Sequence, residues 1–163
     1  MITKGQKIPS VAIKQVNAEG IADADPATLF AGKKVIMFSL PGAFTPTCSQ
    51  KHLPGYVENM SELKAAGVDL VACLSVNDVF VMQAWAEQTG ALGKIVMLAD
   101  GSGAFTKALG IELDLTARGL GVRANRGVFT IVDGTVTSVE MEAPGAFEVS
   151  GAVACLTNLR KSA

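Results

Sequence analysis

"KKVIMFSLPGAFTPTC", residues 33–48, joins two kinds of order. Residues 33–40 hold a continuous apolar run, as a strand buried on both faces would. The next eight crowd two prolines, a glycine, two threonines and a cysteine together. From Pro46 onward, Leu53, Tyr56, Val57, Met60 and Leu63 recur at three- and four-residue intervals, which lines one face of a helix that closes at Gly67. Pro54 lies inside this pattern and predicts a kink, because it deletes a backbone donor and crowds the carbonyl four residues back. A buried strand, a tight turn and a helix make up the repeating unit of α/β proteins.

The flanking sequence extends that reading. "VAIKQV" (11–16) alternates like a strand, and "NAEGIADADPA" (17–27) reads as a loop. "VDLVACLSV" (68–76) and "KIVMLA" (94–99) are two further core strands. Asp78 is placed to cap a helix with Val81, Met82 and Trp85 on a shared face, ending near Gly90. "SGAFTKALG" (102–110) is a short helix stopped by Gly110, and "VSGAVACLTNLRK" (149–161) is the last helix. Between them, "GVFTIVDGTVTSVEM" (127–141) reads as two strands around an Asp133–Gly134 turn. The order β, β, α, β, α, β, α, β, β, α mixes parallel crossovers with a terminal hairpin. Connection rules then give an α/β fold whose central mixed β-sheet is flanked by helices. At 163 residues, 1–163 is expected to form a single domain.

Composition narrows the function. The formal net charge is −1, and the longest basic runs are the pairs 33–34 and 160–161, so nucleic acid has no electrostatic footprint here. "MITKGQKIPS" lacks the apolar stretch of a secretory signal, and the apolar segment starting at Val68 is broken by Asn77 and Asp78 before it could cross a bilayer. The expectation is a cytoplasmic chain that binds neither nucleic acid nor membrane. Three cysteines without a CxxC spacing argue against a disulfide scaffold, and the single histidine argues against a metal centre. No metal or organic cofactor is expected. Each cysteine is then either a reactive thiol or a buried apolar filler.

For Cys48 the local sequence bears on that choice. With Thr45 as the N-cap and Pro46 as the first helical residue, Cys48 falls in the first turn, among amides that have no helical acceptor. The partial positive charge there, about half an elementary charge, favours thiolate over thiol. The site also lies beyond the carboxyl end of a strand, where open α/β sheets place their chemistry. This reading requires a sulfur that is ionised and reachable from solvent. The competing reading is a small apolar side chain packed under the helix.

"PGAFTPTCS" resembles the active-site motif of the peroxiredoxins, which are thiol peroxidases. "KHLPGY", "SVNDVFVMQAWA", "LADGSGAFTKALG" and "GLGVRANR" are similar to the type II, five-like branch, and the likeness runs from about residue 4 onward. The resemblance implies a thioredoxin-like fold and reduction of hydrogen peroxide and alkyl hydroperoxides through a sulfenic acid on Cys48. It makes Cys48 the nucleophile and Pro41 its shield, and has Thr45, Thr47, Cys48 and Arg126 bind the peroxide. Arg126 is preferred to Arg123 because its spacing to Asp133 matches the family arginine, although Gly127 stands where an aromatic residue commonly follows.

The resemblance also implies glutathione with glutaredoxin, or thioredoxin, as reductant, and a homodimer. Cys73 occupies a place where the type II branch often has a cysteine, so it is a possible resolving residue, on condition that the helix start can unwind. Cys155, in the last helix, receives no such role. His52, one turn beyond Cys48, is read as structural or mildly electrostatic rather than as the base of a cysteine hydrolase. Asp78, Asp100 and Asp133 are read as caps and turn residues. The alternative function is a redox sensor or relay that uses Cys48 as a switch without fast turnover.

Overall fold

A computed structural model describes residues 1–162. It begins with an edge hairpin, β1 (Ile13–Asn17) and β2 (Gly20–Ala24), followed by the short helix α1 (Pro26–Leu29). Strand β3 (Lys34–Ser39) leads into a helical stretch that contains α2 (Leu53–Glu58) and α3 (Met60–Ala65). Next come β4 (Leu70–Ser75), α4 (Val79–Thr89), β5 (Val96–Ala99) and α5 (Ala104–Leu109). A separate small ribbon, β6 (Glu112–Leu115) and β7 (Gly121–Ala124), precedes the hairpin β8 (Gly127–Val132) and β9 (Thr135–Met141), and α6 (Ala152–Lys161) closes the chain.

Seven strands form one sheet in the order β2-β1-β5-β4-β3-β8-β9. β3, β4 and β5 run parallel, while β1 joins β5 and β8 joins β3 antiparallel. The sheet is therefore mixed, as the sequence order predicts. β3 is its pivot. Ile36 and Phe38 point into one apolar core with Tyr56, Trp85 and Leu156, and Val35 and Met37 point into a second with Phe105, Leu109 and Phe129. This two-sided burial is why residues 33–40 show no alternation.

The capping residues hold their predicted places. The Asp78 carboxylate accepts from the amides of Phe80 (2.9 Å) and Val81 (3.0 Å), and α4 ends at Gly90 with φ of 74°. Asp100 accepts from Phe105 N (3.1 Å) and Thr106 N (2.7 Å) at the start of α5. Asp133 and Gly134 both take positive φ, 48° and 73°, the backbone that a two-residue hairpin turn demands.

Two readings need correction. Residues 17–27 are not a loop: they complete β1, turn through Ala18 and Glu19, form β2 and begin α1. β2 has no buried residue, because it is the outer strand of the sheet, and so it lacks the apolar alternation that marks a strand. The β6–β7 ribbon was also not expected, and its outward residues Glu112, Asp114 and Val122 conceal it in the same way.

Candidate active site

β3 ends at Ser39, whose hydroxyl donates to the Asn125 carbonyl at 2.7 Å and ties this strand end to the segment before β8. The chain then turns through residues 41–44. Ala43 N donates to Asn77 Oδ1 (2.9 Å), which anchors the turn beside the start of α4. Phe44 adopts φ of 63°, a left-handed conformation uncommon for a residue with a side chain, and its ring is half exposed.

Thr45 stands at the N-cap position, and the first helical hydrogen bond runs from Ser49 N to Thr45 O (3.0 Å). Its hydroxyl does not cap the helix, however. It donates to Gly42 O at 2.7 Å, which leaves its lone pairs open and the amides of Thr47 and Cys48 without a helical acceptor. Thr47, directly before Cys48 in the chain, is half-buried, and among the described residues no side-chain hydrogen bond ties it to Cys48 or Arg126.

From Cys48 the helix widens into a π turn, Cys48–His52, closed by Leu53 N donating to Cys48 O. Pro54 explains the widening, since it cannot donate to the Gln50 carbonyl and its ring crowds that oxygen. A second break falls at Asn59, where φ is −103°. The kink is thus spread over the turns on either side of Pro54.

Arg126, immediately before β8, directs Nη2 to Cys48 Sγ at 3.1 Å. Its Nη1 donates to His52 Nδ1 at 2.8 Å, and His52 Nε2–H donates to the Ser150 carbonyl at 3.1 Å. Both imidazole nitrogens are thereby engaged, so His52 has no nitrogen free to act as base for a cysteine hydrolase. Burial first, then the Arg126 charge, depress its pKa to about 3, and the ring stays neutral. Arg123 serves a different place: Nε donates to Leu120 O (2.8 Å) and Nη1 to the Pro41 carbonyl (3.3 Å). It fixes the turn that carries Pro41 and does not reach the sulfur.

The sequence reading required a sulfur open to solvent, and this is corrected. Cys48 is 0% exposed, packed in the same core cluster as Cys73 and Cys155. Arg126, Thr45 and Pro41, the groups proposed to surround it, are half-buried. All three cysteines are free thiols. Burial, then the neighbouring Cys48, push the Cys73 thiol well above its ordinary value, and burial pushes Cys155 up to about 11.

The likeness to known proteins covers nearly the whole chain. The Redoxin family matches residues 3–156. Peroxiredoxin-2B of Arabidopsis thaliana is 46% identical over 152 residues, covering 93% of this chain and 94% of its own. The chain belongs to the peroxiredoxins, the thiol peroxidases. Peroxiredoxin-2E, chloroplastic, from the same plant is 44% identical, and this chain spans 66% of its length. Reduced Prx3 from Vibrio vulnificus, solved in complex with H₂O₂, superposes with a TM-score of 0.92 at 50% identity, covering 98% of this chain and 99% of that one. Peroxiredoxin 5 from Alvinella pompejana gives a TM-score of 0.87 at 34% identity, with 99% of each chain covered. The fold of this peroxiredoxin is thus the thioredoxin-like one that the resemblance implies.

Sequence reasoning missed Glu142, Phe147 and Ser150, which support the Arg126–His52 pair in this peroxiredoxin. They lie in "MEAPGAFEVSG", residues 141–151, a connection without periodicity. The one signal there was a second glutamate, Glu142, directly after Met141 at the end of the strand.

Proposed function

We propose that this chain reduces hydrogen peroxide and small alkyl hydroperoxides through Cys48. The observation that carries the reading is the Arg126 guanidinium 3.1 Å from Cys48 Sγ at the open end of a helix. The Cys48 thiolate attacks the terminal peroxide oxygen. An S–O bond forms and the O–O bond breaks, sulfur is oxidised to sulfenic acid, and the leaving oxygen takes a proton to become water or an alcohol. The amides of Thr47 and Cys48, together with Arg126, stabilise charge on the departing oxygen, and the Thr45 hydroxyl accepts from the peroxide proton. Pro41 limits solvent at the sulfur. Peroxide approaches Cys48 between the half-buried Arg126, Thr45 and Pro41, the groups that then hold it.

Two thiols of an external reductant then restore the thiolate with release of water. Glutathione with glutaredoxin fits best, because Cys73 is fully buried and its thiol is held well above its ordinary pKa. Mass spectrometry of the peroxide-treated chain tests this reading. The expected products are a one-oxygen addition on Cys48 alone and, with glutathione present, a mixed disulfide at Cys48. A Cys48–Cys73 disulfide would assign resolution to Cys73 and favour thioredoxin. The chain also pairs as a homodimer in this reading, through the apolar rim of Phe44 (49% exposed) and Phe80 (73% exposed). Sedimentation reads that directly, and a monomer at micromolar concentration contradicts it.

A further inference from the structure

Arg126 is gripped from the side away from Cys48 by a turn that none of the family motifs includes. After β9 the chain enters this turn at Glu142, a buried carboxylate. One of its oxygens, Oε1, accepts four donors at 2.8 Å: the amides of Glu148, Val149 and Ser150, and the Ser150 hydroxyl. Those bonds set where the Ser150 carbonyl points. That carbonyl accepts from His52 Nε2 (3.1 Å) and from the Tyr56 hydroxyl (2.7 Å). Phe147, from the same turn, stands edge-on to the His52 ring at 5.0 Å and places its face 5.8 Å from the Arg126 guanidinium carbon. Glu142 N also donates to the Arg126 carbonyl at 2.9 Å.

We propose that Glu142 is a positioning residue for peroxide reduction, acting on Arg126 through Ser150 and His52. This rests on the roles given above to Cys48 and Arg126. Four donors converge on the single oxygen Oε1, and an ionised carboxylate, with its full negative charge, accepts them most strongly. Burial alone would raise the Glu142 pKa, but the bonds from Ser150, Val149 and Glu148 outweigh it and hold the carboxyl below its usual range. The fixed Ser150 carbonyl selects the imidazole tautomer with hydrogen on Nε2, and Nδ1 is left as a lone pair for Arg126. Release of the turn removes the preference for that tautomer. The guanidinium then loses its acceptor on one arm while the other still faces the sulfur, and its fork geometry relaxes. A displacement of about 1 Å of a charge-stabilising group can slow a reaction by about a hundredfold.

Stopped-flow peroxide consumption by the reduced full chain tests this, with wild type and Cys48→Ser as references. Glu142→Gln keeps the shape and offers an amide oxygen to the same four donors, but loses the charge that strengthens those bonds. The second-order rate constant is expected to fall about tenfold, with the thermal unfolding midpoint within a few degrees of wild type. In a His52→Leu background the same change is expected to cost less than twofold, because the path to Arg126 is already cut. A wild-type rate in Glu142→Gln, or losses that multiply independently in the double variant, overturns the inference. If the glutamine variant does not fold, Glu142→Asp, which withdraws the carboxylate by one carbon, takes its place in the same cycle. A wild type no faster than Cys48→Ser would instead overturn the assignment of Cys48, and this inference with it.

Discussion

At the scale of single residues the site is a chain of hydrogen bonds with a definite direction of donation: Arg126 to Cys48, Arg126 to His52, His52 to Ser150. The two arginines that the sequence offered are separated by what they touch. Arg126→Ala is expected to slow peroxide reduction on the order of 100-fold, the cost of one donor aimed at developing charge. Arg123→Ala is expected to slow it much less, since Arg123 braces the Pro41 carbonyl. Equal rate constants for the two variants in a stopped-flow series would reverse that ordering. His52 gives the fold an acid limit. Its folded pKa of about 3 lies below the ordinary 6.5, so the unfolded chain takes up the proton first as pH falls. Stability from the neutral ring is complete above pH 6.5 and declines as pH drops toward 3, with a full span on the order of 5 kcal/mol. Urea unfolding between about pH 7 and about pH 4.5 should show this loss in wild type and a flatter profile in His52→Gln. Matching slopes would place the acid limit elsewhere.

At the scale of elements, legibility followed burial. β3, β4 and β5 could be read because they are packed on both faces, and α4 because its cap, apolar face and terminal glycine agree. β2 and the β6–β7 ribbon could not, since between them they bury only Ala124 and so carry no apolar period. The π turn was legible only as a kink at Pro54, because sequence gives the missing donor but not how neighbouring turns share its loss. The site divides in the same way. Cys48, Thr45 and Arg126 were singled out from a motif and a spacing, whereas Glu142 and Ser150 make their contacts through one oxygen and one carbonyl in an aperiodic turn. Gly127, a departure from the family pattern, has a packing cause. A Cβ there would lie 2.3 Å from Met141 Sδ and 3.1 Å from the Glu140 carbonyl, so Met141 fills the space that a side chain at 127 would need. Gly127→Ala should destabilise the chain by about 1–3 kcal/mol in urea unfolding, and Met141→Ala should recover most of that loss. An alanine variant as stable as wild type would mean that Met141 moves aside at no cost.

At the scale of the whole molecule, one sheet separates two apolar cores, and the candidate site grows from the end of the strand that faces both. Cys48, Cys73 and Cys155 share one of those cores, which makes the sulfur proposed to react part of the packing that stabilises the fold. Access and stability are therefore linked: what opens the site also loosens the start of the π turn. Cys73→Ser should leave turnover with glutathione and glutaredoxin nearly unchanged. Loss of turnover would show that the buried thiol takes part after all. Among the described residues no helix is long and apolar enough to cross a membrane, and no group of three or more His, Cys, Asp and Glu could hold a metal ion. The chemistry proposed here rests on the thiol and its donors. Its most direct test is the second-order rate constant for peroxide consumption by the reduced chain at neutral pH. The account predicts a value orders of magnitude above that of free cysteine thiolate, abolished in Cys48→Ser. A rate no better than free thiolate, or one that survives that substitution, would contradict it.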